Sequence, residues 1–198
     1  SGEERLWVQD FDMVPAIDRK LDLDVVRDLF EEAFTRVANG EADNDGFNRL
    51  VIAAQMHWRQ VKILRAYCKY LLQTNSPFSA SYMAETLTRH PGIARVLVEL
   101  FEASFDPRRD KESDFRRDLG KTRLTGSLEI LFAAKLEGDP VLHDYIDELV
   151  AARGKDRSEQ VSAANRLFKR ALESVASLDE DRILFAFYEV IGAVVVRR

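Results

Sequence analysis

Apolar residues recur every three or four positions through most of this chain, the spacing of a buried helix face. Val26, Leu29, Phe30, Ala33, Phe34 and Val37 form the first stripe. Asp22 or Asp24 can accept from the free amides of its first turn, and Gly40 stops it. Ala42 to Gly46 reads as a turn-rich loop, and Phe47, Leu50, Val51 and Ala54 predict a short helix. Val61, Leu64, Cys68 and Leu71 predict a longer one that ends at Asn75-Ser76-Pro77. Ser79 is a candidate cap for a helix through Tyr82, Met83 and Leu87, which Pro91 ends near Arg89. Ile93, Leu97, Leu100, Phe101 and Phe105 give another stripe, closed by Pro107.

Arg108 to Asp118 alternates charge signs and reads as a solvated face, either a loop or the exposed start of the next helix. Leu124, Leu128, Leu131 and Phe132 then line one helix face, despite Gly120 and Gly126 nearby. Asp139-Pro140 pairs a cap with proline at the first helical position; Leu142, Tyr145, Ile146 and Leu149 follow, and Gly154 ends the run. Asp156 with Glu159, and Ser177 with Glu180, have capping-box spacing. The last two stripes are Val161, Ala164, Phe168, Leu172, Val175 and then Leu184, Phe187, Ile191, Val194. Only Arg5 to Met13 departs from helical spacing, alternating weakly through Leu6, Val8 and Phe11 as one extended strand would. The fold class expected is all-α, with about eight to nine short-to-medium helices and one extended N-terminal segment. The expected division is an arm over residues 1–20, a first helical subdomain over 21–107, and a second over 108–198 packed on the first.

Composition narrows the function. Hydrophobic residues at 46% and charged residues at 32% mark a globular chain. A net charge of −5 argues against nucleic acid as the main partner, since phosphate binding needs a concentrated basic surface. No apolar run reaches the roughly 18 residues that span a bilayer, so no membrane partner is expected. A single cysteine, Cys68, excludes an intramolecular disulfide and fits a reducing, cytoplasmic setting. Ser1-Gly2 without an initiator methionine looks like the remnant of an expression tag, so the chain is expected to be an excised piece. An excised piece should expose apolar side chains where neighbours were removed, with Phe30, Phe34, Phe185 and Val194 to Val196 as candidates.

Little in the chain resembles catalytic chemistry. His57, His90 and His143 are far apart and none has ligand spacing to Cys, Asp or Glu. His57 fits a helix junction and His90 a helix end. Cys68 lies on an apolar stripe, where a buried structural thiol is expected rather than a nucleophile. Neither GxGxxG nor GxxxxGK occurs, so no cofactor is expected in this chain. Glu31 and Glu32 point about 100° apart on a helix and cannot face one substrate. The most suggestive residues are Trp58, Arg59, Arg65, Tyr67 and Arg95, read as structural or inter-domain contacts, with Trp58 anchoring a helix junction and Arg65 pairing with an acid on a neighbouring helix.

Several segments resemble one family. Trp58 to Tyr67, reading WRQVKILRAY, is similar to a conspicuous segment of the large bacterial NAD-specific glutamate dehydrogenases, and Phe47 to Val51 precedes it in the expected place. Leu100 to Pro107, reading LFEASFDP, resembles an end-of-helix signature of the family. Ser177 to Leu184 resembles the segment leading into the catalytic region, and Val8 to Phe11 the tail of the last ACT-type regulatory domain. His57 stands where a small polar cap is usual, and Phe185 where an arginine is usual. The resemblance implies a non-catalytic helical segment between ACT-like and catalytic domains. It implies NAD as cofactor of the parent enzyme, neighbouring domains of the same chain as partners, and a homo-oligomeric parent. A freestanding helical interaction or regulatory module is the alternative.

Overall fold

The structure, a computed structural model, describes residues 23–109 and 113–196. The strand expected over Arg5 to Met13 and the cap expected of Asp22 lie outside the described residues, as do the side chains of Asp24 and of Val194 to Val196. Among the described residues the regular elements are helices, as expected. They are α1 (Leu23–Ala38), a 3₁₀ turn (Gly46–Arg49) running into α2 (Leu50–Ala53), α3 (Trp58–Gln73), α4 (Ala80–Arg89) and α5 (Pro91–Phe105). Then follow α6 (Asp114–Leu136), α7 (Pro140–Ala152), α8 (Arg157–Leu172) and α9 (Leu178–Val196).

The helix ends follow from local chemistry. Gly40, at φ +72°, closes α1, with the Gly40 amide donating to the Val37 carbonyl and the Glu41 amide to that of Arg36. Ser79 Oγ accepts from the Tyr82 amide, Asp139 Oδ1 from Leu142, and Asp156 Oδ1 from Glu159, so these three predicted caps are made. His57 serves as a cap although it is not a small polar residue. Its Nδ1 accepts from the Arg59 amide at 3.3 Å while Gln60 Oε1 accepts from the His57 amide at 3.1 Å. The polar stretch after Pro107 splits into both expected forms, a loop and then the exposed first turns of α6, capped by Ser113.

The helix α5 is central. It packs against α3, α4, α6, α8 and α9, while α7 bridges α6 and α8. Ile93, Ala94, Val96, Leu97 and Val98 have no solvent exposure, so this helix is apolar on nearly every side. Each such Ile, Leu or Val removed from water contributes about 1.5–3 kcal/mol. One buried cluster runs from Phe47 and Leu64 through Leu97 to Phe132, Phe168 and Phe187. Gly92 lets α5 meet α6, because the Phe132 ring lies 2.7–2.8 Å from where a Cβ would be.

Two glycines should therefore respond oppositely. Gly92→Ala drives a methyl into a buried ring and should destabilise the fold by about 1–3 kcal/mol. Gly126→Ala, inside α6 with nothing within 4 Å, should stabilise it by up to about 1 kcal/mol. Urea unfolding midpoints of the two variants check both signs.

Candidate functional site

Between Pro91 and Phe101 the only charged residues are Arg95 and Glu99, four apart and so on one side of α5. Glu99 is 1% exposed. Its two oxygens meet Arg95 at 3.2 Å and Arg109 at 2.6 Å. The Arg109 guanidinium also reaches Glu102 at 2.8 Å and Gln160 at 3.3 Å. Gln60 donates to Glu102 at 2.8 Å and accepts from Arg95 at 3.1 Å. The network thus ties the first turn of α3, the middle of α5, the α5–α6 loop and the start of α8. Arg157 adds to it by donating to the last carbonyls around the α5 terminus, Ala103 and Asp106.

Arg109 corrects the reading of Arg108 to Asp118 as a solvated face. Its side chain is 9% exposed and folds inward, whereas its neighbour Arg108 is 79% exposed and grips Asp106 through two hydrogen bonds. Burial works to raise the Glu99 carboxyl. The guanidiniums of Arg109, Arg95 and Arg153 outweigh it and hold the group at about 2. Burial likewise works to lower Arg109, and Glu99 and Glu102 outweigh it, so Arg109 is raised.

The five residues singled out from sequence do not converge on one point. Trp58 Nε1 donates to Glu32 at 2.9 Å, and the same carboxylate pairs with His57 Nε2 at 2.8 Å. Arg36, Arg59 and Lys62 lie 5.3–6.0 Å from the Trp58 ring centroid, within cation–π range. Arg65 is buried and grips Asp45 at 2.7 and 2.9 Å, with Asn48 at 2.9 Å. Its acid therefore comes from the turn that caps the 3₁₀ segment and not from a neighbouring helix. Tyr67 packs edge-on against Phe101 with centroids 6.0 Å apart. Of the five, Arg95 alone enters the Glu99 network.

The remaining reactive groups serve structure as well. Cys68 is buried with its sulfur 3.6 Å from that of Met83, and burial, with Asp45 nearby, pushes the thiol up to about 11. That is the opposite of what a nucleophile needs. His90, at the α4–α5 elbow, makes no side-chain cap. Its Nε2 instead lies 2.7 Å from Glu180 in the first turn of α9, beside Arg89, which pairs with the same carboxylate. The spacing of Ser177 and Glu180 suggested a capping box. Ser177 Oγ does accept from the Glu180 amide, but the Glu180 carboxylate turns to α4.

Two open concavities flank the α5–α6 loop. One, of about 530 Å³, is lined by His57, Arg59, Gln60, Ile63, Phe101 and Phe105 among others. The second, of about 580 Å³, is lined by Arg109, Arg116 and Arg153. They share Glu102, Asp106, Pro107 and Arg108. Among the described residues no three His, Cys, Asp or Glu side chains gather as a metal site would require, and no helix is long and apolar enough to cross a membrane.

The class of protein this defines is an all-helical domain whose polar groups hold helices together. Comparison with known proteins is specific beyond that. Residues 42–107 match the model of glutamate dehydrogenase, helical motif 3. The chain is 48% identical over 107 residues to an NAD-specific glutamate dehydrogenase of Halomonas elongata, covering 54% of this chain and 7% of that protein. It is 34% identical over 146 residues to the NAD-specific glutamate dehydrogenase of Pseudomonas aeruginosa, covering 73% of this chain and 9% of that protein. The corresponding protein of Mycobacterium tuberculosis is 49% identical over 78 residues, 39% of this chain and 5% of that protein. No solved structure matches the chain. The chain belongs to the NAD-specific glutamate dehydrogenase family, as a segment of it. It spans less than a tenth of the length of these relatives.

The Glu99 network carries a pH signature. A carboxyl held below its unfolded value stabilises the fold at neutral pH, and that contribution is lost as pH falls from about 4.5 towards about 2. Glu99→Gln removes the carboxylate and should cost about 3 kcal/mol at pH 7, because Arg95 and Arg109 lose a buried partner. Urea titrations of both proteins at pH 7 and pH 3 check this, and the gap between them should narrow at the lower pH.

Proposed function

We propose that this chain is a non-catalytic helical segment of an NAD-dependent glutamate dehydrogenase. In this reading it connects regulatory ACT-like domains to a catalytic domain of the same polypeptide. The parent enzyme would convert L-glutamate, NAD and water to 2-oxoglutarate, ammonium and NADH, with NAD held outside this segment. Residues 1–20 would arrive from the preceding domain, and residues 21–107 and 108–198 would be two helical halves packed on each other. The parent is read as a cytoplasmic homo-oligomer.

The observation that carries the reading is the match of residues 42–107 to a helical motif of glutamate dehydrogenases, in a chain that covers 7% and 9% of two such enzymes. The commitment of Arg65, Arg95, Arg109 and Glu99 to one another and to nearby loops supports a structural role. A freestanding module should present a closed surface. Phe34 at 61% exposure and Phe185 at 41% favour a segment whose neighbours have been removed.

The purified chain should form no NADH from glutamate and NAD, and calorimetry should detect no NAD binding. In the complete reading frame, Glu99→Gln should lower thermal stability while leaving the KM for glutamate unchanged. Glutamate oxidation by the isolated chain would contradict the proposal, and so would a reading frame that ends close to these residues.

A further inference from the structure

We propose that Lys135 is an acylation site: its amine takes a small activated acyl group, from an acyl phosphate or an acyl thioester, ahead of the ion-paired Lys69 and Lys155 and the water-exposed Lys62 and Lys169. Lys135 is half-buried in the last turn of α6, and its Nζ donates to Ser174 Oγ at 2.6 Å, in the linker between α8 and α9. That hydroxyl donates in turn to the Ala171 carbonyl at 2.7 Å, so its own proton is engaged. Ser174 is exposed, which leaves the pair open to a reagent from solvent.

The surroundings lack what keeps a lysine charged. Among the described residues, Lys135 has the Ser174 hydroxyl as its partner and no carboxylate at ion-pair distance. The acids at this junction are engaged elsewhere, since Arg170 holds Asp139 at 2.8 Å and Glu173 at 2.6 Å. Glu137 lies two residues on, a spacing that does not bring helical side chains together. Lys69 and Lys155, by contrast, pair with Asp43 at 3.0 Å and Glu159 at 3.3 Å. A carboxylate favours the ammonium, whereas one hydroxyl does not replace the water lost on burial. Burial accordingly lowers the Lys135 amine from its ordinary value, and more of it is neutral at pH 7. The neutral amine is the nucleophile. It attacks the acyl carbonyl carbon and forms a C–N bond. The bond from that carbon to the phosphate oxygen or thiol sulfur breaks, the leaving group departs with the electron pair, and the surplus proton on nitrogen passes to water. The amide product is uncharged, so α6 loses a positive charge that suits its C-terminus.

The test has two arms. The purified chain is treated at pH 7 with acetyl phosphate in one and acetyl-coenzyme A in the other, and occupancy at each lysine is followed over time by peptide mass spectrometry. Lys135 should be acetylated about threefold or more faster than Lys62, Lys69, Lys155 and Lys169 in at least one arm, and the faster arm names the source. In the urea-unfolded chain that preference should vanish, because it comes from the folded surroundings of the amine. Ser174→Asp places a carboxylate beside Nζ and should slow acetylation of Lys135 by about tenfold, with the rates at Lys62 and Lys155 unchanged. Ser174 is exposed and lies between helices, so this variant should stay folded. Equal rates at the five lysines in both arms, a preference that persists in urea, or an unchanged Lys135 rate in Ser174→Asp would overturn the proposal.

Discussion

Glu99 is a carboxylate with 1% exposure on a helix whose other charged residues are Arg95 and Glu102, and the arrangement around it depends on its being neutralised. Left alone, a buried charge costs several kcal/mol. Arg95 supplies one guanidinium from the same helix, Arg109 a second from the following loop, and Arg153 a third at the end of α7. Each partner fixes the element that carries it. The position of Arg153 depends in turn on Gly120, since a Cβ there would lie 2.7 Å from the guanidinium carbon. A glycine in the second turn of α6, unfavourable for helix propensity, thereby gives room to a charge that helps hold Glu99 down. The α5–α6 loop is pinned at Arg109, and Arg157 of α8 closes the α5 terminus beneath it.

Helix limits were legible in the sequence because they depend on neighbours within four residues. Ser79, Asp139 and Asp156 each present an oxygen to the amide three residues on, and Gly40 and Gly154 adopt the left-handed backbone that ends a helix. The apolar stripes were equally legible, and Val61, Leu64, Cys68 and Leu71 are all buried. His57 shows that the position of a cap can be clearer than its chemistry, because an imidazole nitrogen accepts where a small polar side chain is usual.

Long-range polar pairing was not legible. Arg109 stands in a run of alternating charges, and nothing local distinguishes it from Arg108, which stays in solvent. What separates them is the direction of the chain leaving α5, which is a tertiary property. Glu180 was misplaced for a similar reason, since its carboxylate finds Arg89 and His90 across 90 residues of chain instead of its own helix end. One signal was present. Arg95 and Glu99 are the lone charges in an apolar stretch of α5, and a charge pair on a helix buried all round must find partners on other elements. The two concavities beside them combine residues from α3, α5, the loop, α6 and the end of α7, so no segment of sequence contains them.

The central helix of this segment is held by Glu99 and its arginines. A double-mutant cycle with Glu99→Gln and Arg109→Gln, read by urea unfolding at pH 7, addresses that directly. If the pair locks α5 to the loop, the two losses should fall short of additivity by about 1–3 kcal/mol. Additive losses, with no coupling between the two positions, would contradict it.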